Sequence, residues 1–600
     1  MTPGFHLAIL LFLCSSHLIS SIRRAADNDS PLAAYLVAVR RPDGLVGVDE
    51  PKALEHWHTH LLEQVCNTSD PATAVRFPTA ESRLIYSYNH VVSGFSAWLT
   101  PPEVEDMARL PWFVEAIPDK SYKLMAIDMP APESSWLDNV RDGVWSAGNM
   151  GEGTIIGVID AGVAAGHILT GSEAEGMLPP PAKWKGSCDN NEACNNKLIG
   201  FKTFGDTSDA RGNSVQSASV LGIDYVKAFA VAPKAHLAMY HVCNEVCHPK
   251  AVKAGMDAAV HDGVDVVSMT VSSTRDDAGF HDDAVTAPSY NAVAQGVLVC
   301  TPAGSSSAEM LKVEGNAPWL LTVAASNTDR RIVTNVELGN GILKPDVSAP
   351  GANADTVAAA PHGGDVEFTD AEIRAATSMA VAHVSSVAAM IKKAHPEWSP
   401  AAIKSAIVTT ADPVGPGDAL AGGGTSYFVT GAGEVNPTRA MDPGLVYDIA
   451  ATDFITYLCG MSLSEDRIRK NIEPAHTSCA EAGEIIAAKD LNYPSIMIFM
   501  GEDVQQVEAK RTLTNVGEPA ETYRAEVTVP GVDVAVNPST LVFSDIDQKR
   551  DFTVTVRRQA STPTKAVIEG ELLWLSEKHA VRSPMVVVIG ETAAPSARYS

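Results

Sequence analysis

Apolar and polar positions follow three successive patterns along the chain. Between residues 32 and 124, β-type runs alternate with helical ones. Tyr35-Leu36-Val37-Ala38-Val39 predicts a strand, and Pro51 to Val65 carries apolar residues at helical spacing. Leu84 to Tyr88 and Gly94 to Leu99 predict two further strands. A second helix starts at Pro102, with Pro and acids in its first turn, and a last strand precedes Lys123. This order predicts a small α+β unit of the split βαβ kind.

From 139 to about 450 short β-rich runs alternate with helices, the pattern of a parallel α/β sheet. Predicted strands include Thr154 to Ile159, Ala235 to Tyr240, Val264 to Met269 and Gly296 to Cys300. Predicted helices include Val252 to His261 and Ser378 to Ala394. From 488 to 595 short alternating strands take over, such as Val532 to Val536 and Phe552 to Val556, which predicts a β-sandwich.

Residues 1–21 carry the apolar run Leu7 to Cys14, too short to span a bilayer and followed by small residues, as in a secretory signal. Nine cysteines suit a secreted, extracellular or cell-wall protein. Cys188/Cys194, Cys243/Cys247 and Cys459/Cys479 are close enough in sequence to pair. Cys66 and Cys300 are left over, and Cys300 sits in an apolar run that predicts burial. Asn28 and Asn67 open glycosylation sequons. A formal charge of −27 argues against nucleic acid and anionic membrane as partners. No His or Cys cluster has four-ligand spacing and no carboxylate cage is evident, so neither metal nor other cofactor is expected.

Two boxes carry candidate chemistry. Gly157-Val158-Ile159-Asp160-Ala161-Gly162 presents an Asp at a strand end, and Ala376-Thr377-Ser378-Met379-Ala380 presents a Ser at a predicted helix start. Taken singly, either residue could be a simple cap. In this order they resemble the Asp and Ser boxes of the subtilisin-like serine proteases, the subtilases. Trp184 to Cys188, Asn316 to Trp319, Leu343 to Val347, His395 to Pro400 and Met441 to Asp448 look like plant-type signatures of that family. Tyr86 to Phe95 is similar to its inhibitor-type prodomain. Leu491 to Ser495 and Arg511 to Gly517 resemble its fibronectin-III-like C-terminal domain. The resemblance implies a signal (1–21), a prodomain (32–124) that chaperones folding and caps the site, a subtilisin-like domain (139–450) and a β-sandwich (488–595). Val336 to Gly341 runs directly into Lys344, so the protease-associated insert of many plant members is missing.

The same resemblance places Asp160 and Ser378 as orienting acid and nucleophile. Where the family writes Gly-His-Gly-Thr-His-Thr-Ala-Ser, this chain has Gly212-Asn213-Ser214-Val215-Gln216-Ser217-Ala218-Ser219. A carboxamide at Asn213 has no nitrogen basic enough to take the Ser378 proton. Ser305 stands at the oxyanion Asn, with a shorter side chain. Ser272 replaces a Gly in the segment that pairs with extended peptide. His383 and His167 have structural counterparts in the family, and His241, His261 and His281 have no spacing that ties them to a triad. The expected protein is an impaired serine endopeptidase whose partners are its own prodomain and peptide. The alternatives are an active secreted enzyme with an unconventional base, a non-catalytic peptide- or prodomain-binding protein, and a decaying gene copy whose product has no role. Self-cleavage, if it occurs, should fall near Lys123 to Asp128.

Overall fold

The computed structural model describes residues 32–42, 51–66, 77–119, 122–123, 143–160, 176–189, 194–204, 231–243, 246–271, 286–304, 313, 315–326, 341–351, 370–414, 426–461, 468 and 479–590. The chain divides into two compact units, one holding residues up to Lys120 apart from His90–Val92, the other those three residues and Ser121–Ser600.

In the first unit the strands are β1 (Ala33–Val39), β2 (Leu84–Tyr88), β3 (Gly94–Leu99) and β4 (Phe113–Pro118). The helices are α1 (Pro51–Glu63) and α2 (Pro101–Met107). The antiparallel sheet runs β2-β3-β1-β4, the α+β unit that the alternation predicts. Val37, Val39, Leu61, Leu62, Phe95, Leu99 and Met107 form its core. Gly94 is required where β3 crosses β1, because an added Cβ would lie 2.1 Å from the Val37 carbonyl oxygen. Glu103 caps α2 by accepting from the Thr100 amide at 2.8 Å, and pairs with buried Arg83 at 2.6 Å.

The second unit is built on a seven-stranded parallel sheet. Its strands are β5 (Ile155–Asp160), β6 (Leu198–Thr203), β7 (His236–His241), β8 (Val266–Met269), β9 (Leu298–Pro302), β10 (Leu321–Ser326) and β11 (Val347–Pro350). The spatial order is β11-β10-β9-β8-β5-β7-β6. The chain builds outward from β5 first on one side and then on the other, so β5 is the topological switch point where such sheets place their sites. Helix α3 (Pro249–Asp262) ends on Gly263 at φ +90°. Helix α4 (Thr286–Ala294) follows. Helix α5 (Asp370–Ala394) packs over β8–β11 and β5, and from Met379 to Ile391 is buried on all sides. Helix α6 (Pro400–Thr409) starts with Ser399 accepting from the Ala402 amide at 3.0 Å.

Beyond α6 lie β12 (Leu445–Val446), α7 (Ala451–Gly460) and the sandwich. Its strands are β13 (Ile496–Met500), β14 (Gln506–Asn515), β15 (Thr522–Thr528), β16 (Val532–Asn537), β17 (Thr540–Val542), β18 (Lys549–Arg558), β19 (Ala566–Leu575) and β20 (Ala580–Ile589). One sheet runs β12-β14-β18-β16 and the other β13-β20-β19-β15-β17. Leu445 and Tyr447 are buried in the sandwich core beside Phe552 and Trp574. The Tyr447 hydroxyl lies 2.8 Å from Ser583 Oγ, while its amide donates to Ser405 on α6 at 2.8 Å. The Met441 to Asp448 signature is therefore one of the pieces that stitch the sandwich to the parallel-sheet domain.

All three expected disulfides are present, at Cys188–Cys194, Cys243–Cys247 and Cys459–Cys479. Cys66 and Cys300 are in none, and Cys300 is fully buried. No described helix is long and apolar enough to cross a membrane. The signal-like segment, both sequons and the junction residues beyond Lys123 lie outside the described residues.

Candidate active site

Asp160 closes β5, the strand at the switch point, and is 2 % exposed. Two neighbours fix its backbone. It is in register with His241 on β7, its carbonyl accepts from the Val242 amide at 2.9 Å, and the preceding residue, Ile159, is in register with Met269 on β8. Asp160 stands at a strand end, as the box suggests.

Ser378 is displaced from its expectation. The sequence predicts a helix that starts at Ser378, but α5 starts at Asp370, so Ser378 lies in its third turn. Favourable interaction with the helix dipole falls off within the first turn, so the positive end of α5 is not beside Ser378. Thr377 and Ser378 are 3 % and 2 % exposed.

His383 follows five residues later, about 140° around the helix from Ser378. Its Nδ1 donates to the Pro350 carbonyl at the end of β11, at 2.8 Å. Burial pushes its pKa down to about 4, against the opposing effect of that hydrogen bond. The imidazole is thus neutral, pinned and a poor base, which is the structural role the sequence assigned it.

The structure brings one histidine to Asp160 that sequence reading passed over. His241 ends β7 directly beside Asp160 in register. Its Nε2 donates to the Cys243 carbonyl at 2.7 Å, and burial chiefly lowers its pKa. It stands on the β7 flank of β5, while α5 packs towards β8–β11. The signal was available in part, since both residues close β-type runs, but inter-strand register is not written in either run alone.

Ala303-Gly304 follows β9 with Gly304 at φ +81°. Asn213, Gln216, Ser305 and Ser272 lie outside the described residues, as do His167 and His281. Among the described residues no group of His, Cys, Asp and Glu is arranged to hold a metal ion.

Three family profiles match the chain. The Subtilase family covers residues 151–433, Peptidase inhibitor I9 covers 40–125, and the Fibronectin type-III domain covers 490–587. The chain is 30% identical over 658 residues to Subtilisin-like protease SBT4.10 of Arabidopsis thaliana, covering 88% of this chain and 91% of that protein. It is 28% identical to SBT4.14 of the same plant (85% and 90% covered) and 28% identical to SBT4.12 (95% and 97%).

Proposed function

The chain belongs to the subtilase family, and from that we propose that it is a secreted, catalytically impaired member that binds peptide or its own prodomain. The observation that carries the reading is Asn213 at the position of the family's general base. An amide at 213 cannot take the Ser378 proton as the family's imidazole does when the serine attacks a carbonyl. Ser305 at the oxyanion position removes a second, separate contribution. Burial of Asp160 and Ser378, and the neutral, carbonyl-bound His383, support the same reading. Asp160 and Ser378 keep their family identities as acid and hydroxyl, while Asn213 supplies an amide where the family writes an imidazole. Three disulfides and the signal-like N-terminus support secretion.

A second reading, turnover with an unconventional base, is favoured by one observation: His241 stands in register beside Asp160. Intact mass of the secreted protein, measured beside Ser378→Ala, separates the two. An uncut precursor in both is the expected result. Loss of the prodomain in the parent alone overturns the proposal. Equal cutting in both assigns the cut to another protease, and fluorophosphonate labelling of Ser378 then decides, with labelling overturning the proposal.

A further inference from the structure

His579 lies in the turn Ser576–His579 that joins β19 to β20, closed by the Ser576 amide donating to the His579 carbonyl at 2.9 Å. Its ring is 7 % exposed and meets a carboxylate at each nitrogen. Nδ1 is 2.9 Å from Glu521 Oε1, and Nε2 is 3.1 Å from Asp442 Oδ2. A neutral imidazole has one N–H, so one of these contacts would set a nitrogen lone pair against a carboxylate oxygen. Both are attractive only when the ring is imidazolium.

The surroundings hold this arrangement in place. Glu521 also accepts from the Tyr523 hydroxyl at 2.8 Å and from Ser576 Oγ at 2.5 Å, which fixes its carboxylate. Gly444, at φ +76°, lets the ring approach, since an added Cβ would lie 2.6 Å from His579 Cγ. Lys578 on the same turn is the nearby competing cation, and it pairs outward with Glu518 at 2.5 Å. Asp442 is 72 % exposed and stands three residues before β12, where the chain leaves the parallel-sheet domain for the sandwich.

We propose that His579 is a protonation-dependent latch that holds the Asp442 turn to the sandwich and releases it when Nε2 loses its proton. The inference is independent of whether the chain turns substrate over. Burial works against the charged ring, but the hydrogen bonds to Glu521 and Asp442 outweigh it and raise its pKa above 6.5. The latch's contribution is therefore complete below pH 6.5 and lost as pH rises through the raised value.

Histidine Cε1 signals of the full chain, labelled with ¹³C, report the titration directly. The His579 signal is the one missing from His579→Gln. Its midpoint is expected above 6.5, and Asp442→Asn should lower it. The margin by which the thermal midpoint of the parent exceeds that of Asp442→Asn should shrink across that titration. If His579→Gln does not fold, the exposed Asp442→Asn substitution identifies the signal as the one that shifts. A His579 midpoint at or below 6.5, or no histidine signal moved by Asp442→Asn, overturns the proposal.

Discussion

The Tyr493 hydroxyl donates to Asp346 Oδ1, joining the segment that leads into the sandwich to the loop between β10 and β11, 147 residues away in sequence. The other Asp346 oxygen accepts from Lys344 Nζ at 2.6 Å and from the Thr322 amide at 2.7 Å. Lys344 also donates to the Leu320 carbonyl at 2.8 Å. Two signatures read as family marks, Leu343 to Val347 and Leu491 to Ser495, are thus two halves of one buried polar network.

Asp346→Asn should destabilise the chain strongly, by about 3–5 kcal/mol, because it leaves the Lys344 ammonium buried without its counter-charge. Tyr493→Phe should cost less, about 1.5–3 kcal/mol, since it removes one donor to a charged acceptor and leaves the ion pair. Denaturant titration of the purified chain measures both. Equal, small losses would contradict a network centred on Asp346.

Lys404 sets a pH dependence of its own. Its Nζ lies 4.4 Å from the centre of the Tyr493 ring and donates to the Pro318 carbonyl. Burial pushes its pKa down to about 7, with Asp346 opposing and Lys344 assisting. The folded chain therefore sheds this proton near pH 7, whereas the unfolded lysine keeps it to about 10.5. Stability contributed by this site rises with pH between those values, opposite in sign to that of His579. Lys404→Met should flatten that rise, which unfolding midpoints at a series of pH values will show.

Much of the fold was legible because local period carries it. The strands at Ala33–Val39, Ile155–Asp160 and Lys549–Arg558 and the helix at Pro249–Asp262 all follow from apolar spacing. The disulfides were legible from proximity in sequence. What was not legible is what arises between elements. The register of His241 with Asp160 belongs to neither strand alone. The contacts of His579 join residues from 442, 521 and 579. The upstream start of α5 was missed for a different reason. The Ser378 box has the sequence of a helix start, while the helix formers Ala371, Glu372, Arg374 and Ala375 in the run before it let the helix begin earlier.

The two described histidines near the boxes should respond differently to substitution. His383→Ala removes a buried ring and the donor to Pro350, so it should cost about 2–4 kcal/mol of stability without altering any residual turnover per folded molecule. His241→Gln should likewise leave turnover unchanged, since its Nε2–H is given to Cys243 on the flank away from α5. Turnover of a fluorogenic peptide, normalised to folded protein, reads both. Loss of turnover in His241→Gln alone would favour the unconventional-base reading.

On the proposed reading, placing a base at position 213 should not by itself restore a protease. In subtilisin, loss of the His alone costs on the order of 10⁶ in kcat, and loss of the oxyanion Asn costs about 10²–10³. On the proposed reading, Asn213→His supplies the family's proton acceptor, while Ser305 still offers the developing oxyanion a shorter side chain than the family's Asn. Turnover in Asn213→His is therefore expected to remain below that of Asn213→His with Ser305→Asn by about 10²–10³. Fluorophosphonate labelling, which needs an activated Ser378, should appear in the double variant before it is detectable in either single one. If Asn213→His alone reaches the rate of the double variant, Ser305 is not a defect. If neither variant labels, the buried setting of Ser378 in the third turn of α5 is the larger obstacle.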